Sequence, residues 1–309
     1  MSDRRTFLKT GLAASLGLSG ASYAKNYPTT PAPKSNKAFR ILHMTDMHIR
    51  PEHDAPRRYT RIMKEALKSA GKIDLVLNGG DSIYAADYNH IKKGRVLEQW
   101  KIWDDTIMPP LKGIEILHAL GNHDMWWATA KTDPMYGKDY VLQRLGQKER
   151  YTSIERGGWL IITLDCNNAG LLDDEQLNWL HAEMKRLPDT PMLVMSHQPI
   201  LLVSDVIKSG LNKRQKQIIN PFVDGKTHAR PVHFISGHVH ILDTLAYNNV
   251  SFHCNGAFSG AWWEENIYAK DCSYQGTPMG YSIIDIYPDG QFVNQYHDIT
   301  DCKDGKIIK

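Results

Sequence analysis

Side chains that bind metal ions recur in five short clusters along the chain, four of them next to glycine or serine. The clusters are Asp46-Met47-His48, Gly80-Asp81, Gly121-Asn122-His123-Asp124, Ser196-His197 and Gly237-His238-Val239-His240. Carboxylate, amide and imidazole donors suit Mn, Fe or Zn, whereas a soft thiolate site would need cysteines. Residues two apart on an extended segment face the same way, so each Asp-x-His or His-x-His triplet could offer two ligands to one site.

The number of candidate ligands predicts two ions rather than one. They are Asp46, His48, Asp81, Asn122, His197, His238 and His240. Two ions about 3.5–4 Å apart that share a carboxylate would use them all, and would activate a water and neutralise phosphate oxygens. Phosphoester hydrolysis is one reaction that such a centre can perform. Two-metal centres also cleave amide and ester bonds, and a metal-binding protein that is not an enzyme but binds a partner is a further alternative.

The clusters follow segments that we expect to be buried strands. Apolar runs on both pleat faces indicate central strands at residues 39–46, 73–77, 114–120, 159–165, 192–195 and 232–236. Helical spacing alternates with them at residues 59–70, 92–103 and 173–187, and residues 281–286 and 291–298 predict a hairpin. This alternation predicts an α/β fold. In such sheets ligands bind beyond the carboxyl ends of the strands, so the clusters can converge on one site.

Composition excludes several classes of protein. The chain has 309 residues, of which 42% are hydrophobic, so it can bury a full core and is not a disordered protein. Its net charge is only +3, whereas a nucleic-acid-binding protein normally carries a strong excess of basic residues. Four cysteines do not make a disulfide scaffold. The sequence contains no run of about 20 apolar residues, so we expect neither a membrane span nor a stable membrane anchor.

Residues 1–24 are typical of a cleavable export signal. Arg4 and Arg5 precede a mildly apolar run and then small residues up to Ala24, and the segment Asp-Arg-Arg-Thr-Phe-Leu-Lys resembles the twin-arginine motif. Residues 25–38 contain three prolines and predict an extended linker. We expect the export machinery to move the folded chain to the periplasm or the extracellular space. Residues 39–309 would then form one catalytic domain.

The five clusters together resemble the motif series of the calcineurin-like metallophosphoesterases, over residues 39 to about 260. This resemblance implies a four-layer αββα sandwich with two mixed β-sheets and a dinuclear centre between its loops. It implies two divalent or mixed-valence transition metals. Asp46, His48 and His240 would bind the first and Asn122, His197 and His238 the second. Asp81 would bridge them, and His123 would protonate the leaving oxygen.

The chain departs from some branches of this family. Protein phosphatases place an aspartate three residues after the bridging one, where this chain has Tyr84. Purple acid phosphatases have that tyrosine but lack a residue like His48. The remaining resemblance is to small exported bacterial phosphoesterases of the cyclic-nucleotide-phosphodiesterase type. His123 can act as general acid, and either Asp124 or Tyr84 could orient it.

The substrate prediction is a small phosphoester, with a diester favoured. Apart from Arg50, no arginine or lysine lies beside the five clusters to hold a dianionic monoester. An acid-phosphatase-like monoesterase is the alternative. Two aromatic pairs follow clusters or glycine-rich turns and could contact the substrate or simply pack loops: Trp126 and Trp127, and Trp262 and Trp263.

Overall fold

The computed structural model describes residues 38–52, 54–166, 171–223, 230–259, 269–270, 273–299, 302–303 and 306–307. The predicted signal peptide (1–24), nearly all of the predicted linker (25–38), Trp262 and Trp263 lie outside these residues. Within the described ranges, no helix is both long enough and apolar enough to cross a membrane.

Most strands belong to two large sheets. In chain order the strands are β1 (Phe39–Met44), β2 (Leu75–Asn78), β3 (Ile116–His118), β4 (Thr152–Arg156), β5 (Trp159–Leu164), β6 (Met192–Ser196), β7 (Val232–Ser236), β8 (Asp243–Tyr247), β9 (Val250–Cys254), β10 (Ala269–Lys270), β11 (Ser273–Tyr274), β12 (Thr277–Pro278), β13 (Gly280–Ile286), β14 (Phe292–Asp298), β15 (Cys302–Lys303) and β16 (Lys306–Ile307). The first large sheet has the order β14-β13-β1-β2-β3 and the second β4-β5-β6-β7-β9-β8. Both sheets are mixed, because β1–β2–β3 and β5–β6–β7–β9 are parallel while β13, β4 and β8 run antiparallel to their neighbours.

The helices are α1 (Ala55–Ala70), α2 (Lys93–Thr106), α3 (Gly137–Arg144), α4 (Asp174–Arg186), α5 (Val203–Lys208) and α6 (Lys213–Val223), with a short 3₁₀ turn at Pro109–Leu111. A proline in its first turn suits the start of α1, and Gly71 ends it with a positive φ of 66°. Asp173 caps α4 by accepting a hydrogen bond from the backbone N–H of Gln176. The α4 cap was predicted, whereas α1 begins four residues earlier than the predicted residue 59.

Three buried clusters show how the layers pack. Ile41 of β1 and Leu193 of β6 share the core between the two sheets. Leu42, the next residue of β1, packs with Tyr59 of α1 on the opposite face. Leu160 of β5 packs on the outer side of the second sheet with residues of α4 and α6. Each central strand thus buries both faces, which explains its unbroken apolar run, and the predicted four-layer αββα sandwich is confirmed.

The histidines inside the strands contact neighbouring polar side chains. His43 Nδ1 lies 2.9 Å from the Asn255 amide nitrogen, and His118 Nδ1 lies 3.0 Å from that of Asn78. His233 and His253 are 3.1 Å apart and stack on the Phe292 ring. Burial lowers the pKa of His253 to about 4, so the buried ring is neutral near pH 7.

Candidate metal centre and active site

The loops that follow β1, β2 and β3 meet those that follow β6 and β7 at the carboxyl ends of both sheets. Two glycines make this approach possible. A Cβ on Gly121 would lie 1.8 Å from the Asp81 backbone nitrogen, and one on Gly237 would lie 2.2 Å from an Asp46 carboxylate oxygen. Side chains at these two positions would push the loops apart, which explains why glycine accompanies the polar residues.

The first group of candidate ligands is Asp46, His48 and His240. His240 Nε2 lies 3.2 Å from Asp46 Oδ1 and 3.1 Å from His48 Nε2. All three side chains are buried. Two of them come from the loop after β1, and His240 comes from the loop after β7 on the other sheet.

The second group is Asp81, His197 and His238, with Asn122 beside it. His197 Nε2 lies 3.2 Å from Asp81 Oδ2, 3.0 Å from Asn122 Oδ1 and 3.2 Å from His238 Nδ1. Asn122 and His238 are only partly buried, unlike the rest. A substrate can therefore approach the centre from their side.

Asp81 faces both groups. Its Oδ2 is 3.2 Å from His197 Nε2 and 3.8 Å from His48 Nε2, so one oxygen lies within reach of both sets of ligands. Its Oδ1 accepts a hydrogen bond of 2.8 Å from the backbone N–H of His123. This hydrogen bond helps to hold the carboxylate between the two groups.

The donor spacing fits metal ions. With ligand bonds of roughly 2.1 Å, neighbouring donors around one ion are about 3.0 Å apart in an octahedron and about 3.4 Å apart in a tetrahedron. The short separations within each group, 3.0–3.2 Å, fall in that range. The donor set of oxygens and imidazoles also fits Mn, Fe or Zn. Seven side chains in two groups joined by one carboxylate are thus suited to a pair of ions.

The backbone at the candidate ligands is strained. Nine non-glycine residues of the described part of the chain have positive φ, and five of them are Asp46, His48, Asp81, His238 and His240. The left-handed region costs a non-glycine residue on the order of 1–3 kcal/mol. Strain concentrated at these positions indicates that the fold is organised to aim these side chains at one point.

Further hydrogen bonds orient the ligands. Asp46 accepts from the Thr45 hydroxyl at 2.7 Å and from the backbone N–H of His238 at 2.9 Å, which ties the two sheets together at the centre. His197 Nδ1 lies 2.9 Å from the Gly79 carbonyl oxygen, so Nδ1 carries the proton and Nε2 is free to bind a cation. Although burial raises the pKa of Asp46, the hydrogen bond and charge of His240, together with the charges of His197 and His48, outweigh it, so the pKa of this carboxyl is lowered.

His123 lies beside the centre without belonging to either group. Its ring is 5.5 Å from the ring of His48, and its Nδ1 lies 2.7 Å from Asp87 Oδ1. Burial disfavours the imidazolium, but the Asp87 hydrogen bond and the charges of Asp81 and Asp87 outweigh it, so the pKa of His123 is raised. This arrangement leaves Nε2 as the atom that can give a proton to a substrate.

Asp87 is a residue that the sequence did not single out, and it corrects the expectation that Asp124 or Tyr84 orients His123. Asp124 is fully buried and accepts from the backbone N–H groups of Ser82, Ile83 and Gly121. It therefore holds the loops of Asp81 and Asn122 together. Tyr84 lies under the guanidinium of Arg50, which is 4.9 Å from its ring centre.

The two described aromatic candidates differ. Trp126 is buried, and its indole N–H donates to the Ile91 carbonyl at 3.2 Å, which favours loop packing over substrate contact. Trp127 is 41% exposed and lies against the Tyr136 ring. Its contact with substrate stays a prediction, as do those of Trp262 and Trp263, which lie outside the described residues.

A four-layer sandwich with carboxylates and imidazoles grouped at the carboxyl ends of both sheets defines a candidate metal-binding protein. The model of the calcineurin-like phosphoesterases matches residues 39–242, and the chain belongs to this family. The predicted resemblance is confirmed at this level.

Individual relatives are more distant. A 3′,5′-cyclic-nucleotide phosphodiesterase of Nostoc sp. is 26% identical over 174 residues, which cover 55% of this chain and 63% of that relative. GAP50, the anchor in the inner membrane complex of Plasmodium, is 13% identical with a TM-score of 0.50, over 88% of this chain and 87% of that one. Phosphopantetheinyl hydrolase of Mycobacterium tuberculosis is 16% identical with a TM-score of 0.39, over 74% of this chain and 92% of that one. The likeness to GAP50 supports the fold alone.

Proposed function

We propose that this protein hydrolyses small phosphodiesters at a dinuclear metal centre, with His123 as general acid. The observation that carries the proposal is the pair of ligand groups joined through Asp81 next to the His123–Asp87 pair. Asp46, His48 and His240 would hold one divalent ion, and Asn122, His197 and His238 the other. Two bound ions supply an activated water and neutralise the charge on phosphate oxygens.

The protein's own contribution is orientation and proton transfer. Asp87 holds His123 through Nδ1, so the imidazolium presents its Nε2 proton to the oxygen that leaves phosphorus. That oxygen departs as an alcohol instead of an unstable alkoxide. The partly exposed side of the centre, at Asn122, His123 and His238, gives the substrate its approach.

The preference for diesters is supported by the positions of the cations. A monoester dianion would need positive charge beyond the metal ions, and Arg50 is the nearest candidate in sequence. Its guanidinium lies over the Tyr84 ring, and the residue is 7% exposed. The Nostoc relative carries the name of a phosphodiesterase, which agrees with this preference.

One assay separates the candidate functions. Purified protein with added manganese is given bis-p-nitrophenyl phosphate, p-nitrophenyl phosphate and a chromogenic peptide. We expect the diester to be cleaved fastest. Faster cleavage of the monoester would favour the acid-phosphatase alternative, and cleavage of the peptide would favour amide hydrolysis. Two bound metals without any hydrolysis would indicate a metal-binding protein that is not an enzyme.

We also propose export by the twin-arginine route. The support is the sequence of residues 1–24, in which Arg4 and Arg5 precede an apolar run and small residues. That route carries folded proteins, which would suit a centre assembled from both sheets before translocation.

A further inference from the structure

A cavity of about 480 Å³ lies between residues 84–91 and the first half of α2. Its lining includes Tyr84, Tyr88, Asn89, Arg95 and Gln99. The cavity adjoins the proposed active site, because the Tyr88 ring is 6.3 Å from the His123 ring and the Tyr84 ring is 6.3 Å from the His48 ring. Of the residues at the centre, His123 is the one that lies next to Tyr88.

Hydrogen bonds within the protein hold the segment that lines this cavity in place. Gln99 is fully buried, and its amide bonds both the N–H and the carbonyl of Ala85, at 2.9 and 3.0 Å. The Trp126 indole holds Ile91 at the far end of the segment. Ala86 donates to the His123 carbonyl at 2.7 Å, so the segment and the proton donor move together. Small-molecule sites are usually preformed cavities of this kind and size.

The chemistry of the lining favours a flat, uncharged group. The Arg95 guanidinium is bonded to Glu52 at 2.6 Å and to Glu98 at 3.0 Å, so its charge is compensated and it makes a poor phosphate site. Tyr88 offers an aromatic face, and Asn89 offers an amide. Tyr88 is 46% exposed, which leaves ring surface for another ring to cover.

A second cavity, of about 290 Å³, lies at the loop that follows β7. His238, His240 and Tyr274 line it, so it borders ligands of both groups. The two cavities share no lining residue. A phosphate at the metal centre would thus have one space on the side of His123 and another on the side of the β7 loop.

We propose that the cavity at Tyr84 and Tyr88 binds the leaving alcohol of the substrate, and that this alcohol carries a flat, uncharged aromatic ring such as a nucleobase. The inference rests on the proposed function, because the oxygen that His123 protonates must lie within hydrogen-bonding reach of its imidazole. The substituent on that oxygen then extends toward Tyr88, whose ring lies next to His123, and into this cavity. The retained ester group occupies the cavity at Tyr274.

Binding of adenosine tests the inference without catalysis. Adenosine has a flat ring and no phosphate, so calorimetric titration measures the cavity rather than the metal centre. Stacking on an aromatic side chain contributes enough that its loss should weaken binding roughly 5- to 150-fold. We expect that loss in Tyr88→Ala and near-normal binding in Tyr88→Phe. Tyr247, which is 60% exposed on β8, provides the control Tyr247→Ala with unchanged affinity.

Hydrolysis provides the second measurement. Methyl p-nitrophenyl phosphate and methyl trifluoroethyl phosphate share a retained group and differ in whether the leaving group is aromatic. Tyr88→Ala should reduce kcat/KM for the aromatic ester, mainly through KM, and should affect the aliphatic ester much less. Equal losses on both esters, or adenosine affinity that is absent or independent of Tyr88, would overturn the inference. Adenosine binding that depends on Tyr88 in a protein without hydrolytic activity would support the cavity and refute the proposed function.

Discussion

Removal of the Asp87 carboxylate should slow the hydrolysis of unactivated esters. Asp87 accepts a charge-assisted hydrogen bond of 2.7 Å from a largely buried imidazole. Such a bond contributes about 1.5–3 kcal/mol, which corresponds to roughly 10- to 150-fold in rate if it is lost in the transition state. Asp87→Ala should therefore lower kcat for a dialkyl or nucleotide ester by that factor. Asp87→Asn keeps a neutral acceptor and should fall between Ala and the unchanged protein.

The leaving group determines how much of this loss is seen. An alkoxide needs a proton in the transition state, whereas p-nitrophenolate is stable enough to leave without one. His123→Ala should cost roughly 10²- to 10⁴-fold on the unactivated ester. Both variants should cost much less on the p-nitrophenyl ester. Asp105, an exposed residue of α2 that pairs with Lys101, gives the matched control Asp105→Ala with unchanged kinetics.

A double variant distinguishes positioning from a structural effect. If Asp87 acts through His123, then Asp87→Ala combined with His123→Ala should be no slower than His123→Ala alone. Losses that simply multiply would show that Asp87 acts independently of the imidazole. Equal losses on the activated and unactivated esters would likewise refute the role of Asp87 in proton donation.

Three further predictions concern metal content, acid stability and export. Asp81→Asn should reduce the bound metal below two ions per chain by elemental analysis, because Asp81 faces both ligand groups; a full pair with normal activity would contradict its role as bridge. Because burial lowers the pKa of His253 to about 4, against about 6.5 when unfolded, the unfolded chain binds this proton first as the pH falls. The free energy of unfolding that this group contributes above pH 6.5 should then decline toward pH 4, by about 2 kcal/mol at pH 5. Urea unfolding of metal-free protein measures this decline. His253→Gln should lessen it, and the surface variant His181→Gln should not. Replacement of Arg4 and Arg5 by lysine should leave the protein in the cytoplasm, and undiminished periplasmic recovery would refute twin-arginine export.

The sequence predicts the centre well because its ligands follow strands that are apolar on both faces. Ile41 and Leu42 pack on opposite faces of β1, which ends at Met44, so Asp46 and His48 fall in the loop that follows. Edge strands are harder to predict. The residues of β4 are at most half-buried, and those of β8 alternate without a fully buried face, so neither has the continuous apolar pattern of the central strands.

Asp87 could not be predicted because its position depends on a loop path. It lies six residues after Asp81 in a segment without helical or strand periodicity. The hydrogen bonds of Ala86 to the His123 carbonyl and of Gln99 to Ala85 help to bring Asp87 to the imidazole. Asp124, by contrast, adjoins His123 in sequence but points to the backbone of the neighbouring loops. The prediction that Asp124 orients His123 relied on their adjacency in sequence. It was wrong because the side chains of neighbouring residues in a turn point in different directions.

Metal removal should weaken the docking of the two sheets, because neither sheet holds a complete ligand group. The first group takes His240 from the second sheet, and the second group takes Asp81 from the first sheet. Ions that bind only the assembled protein stabilise it by about 2.7 kcal/mol each at one hundred times their Kd. At about 2–4 °C per kcal/mol, loss of two ions should lower Tm by roughly 10–20 °C.

Calorimetry before and after chelation measures this shift, and added manganese should reverse it. Asp46→Asn, which weakens one group, should show a smaller shift. On chelation, hydrogen exchange should rise in residues 45–49, which follow β1 of the first sheet, and in residues 236–240 at the end of β7 of the second sheet. The reason is that the same ions would hold both segments. An unchanged Tm after verified metal removal, or exchange that rises in one sheet alone, would show that the ions do not join the sheets.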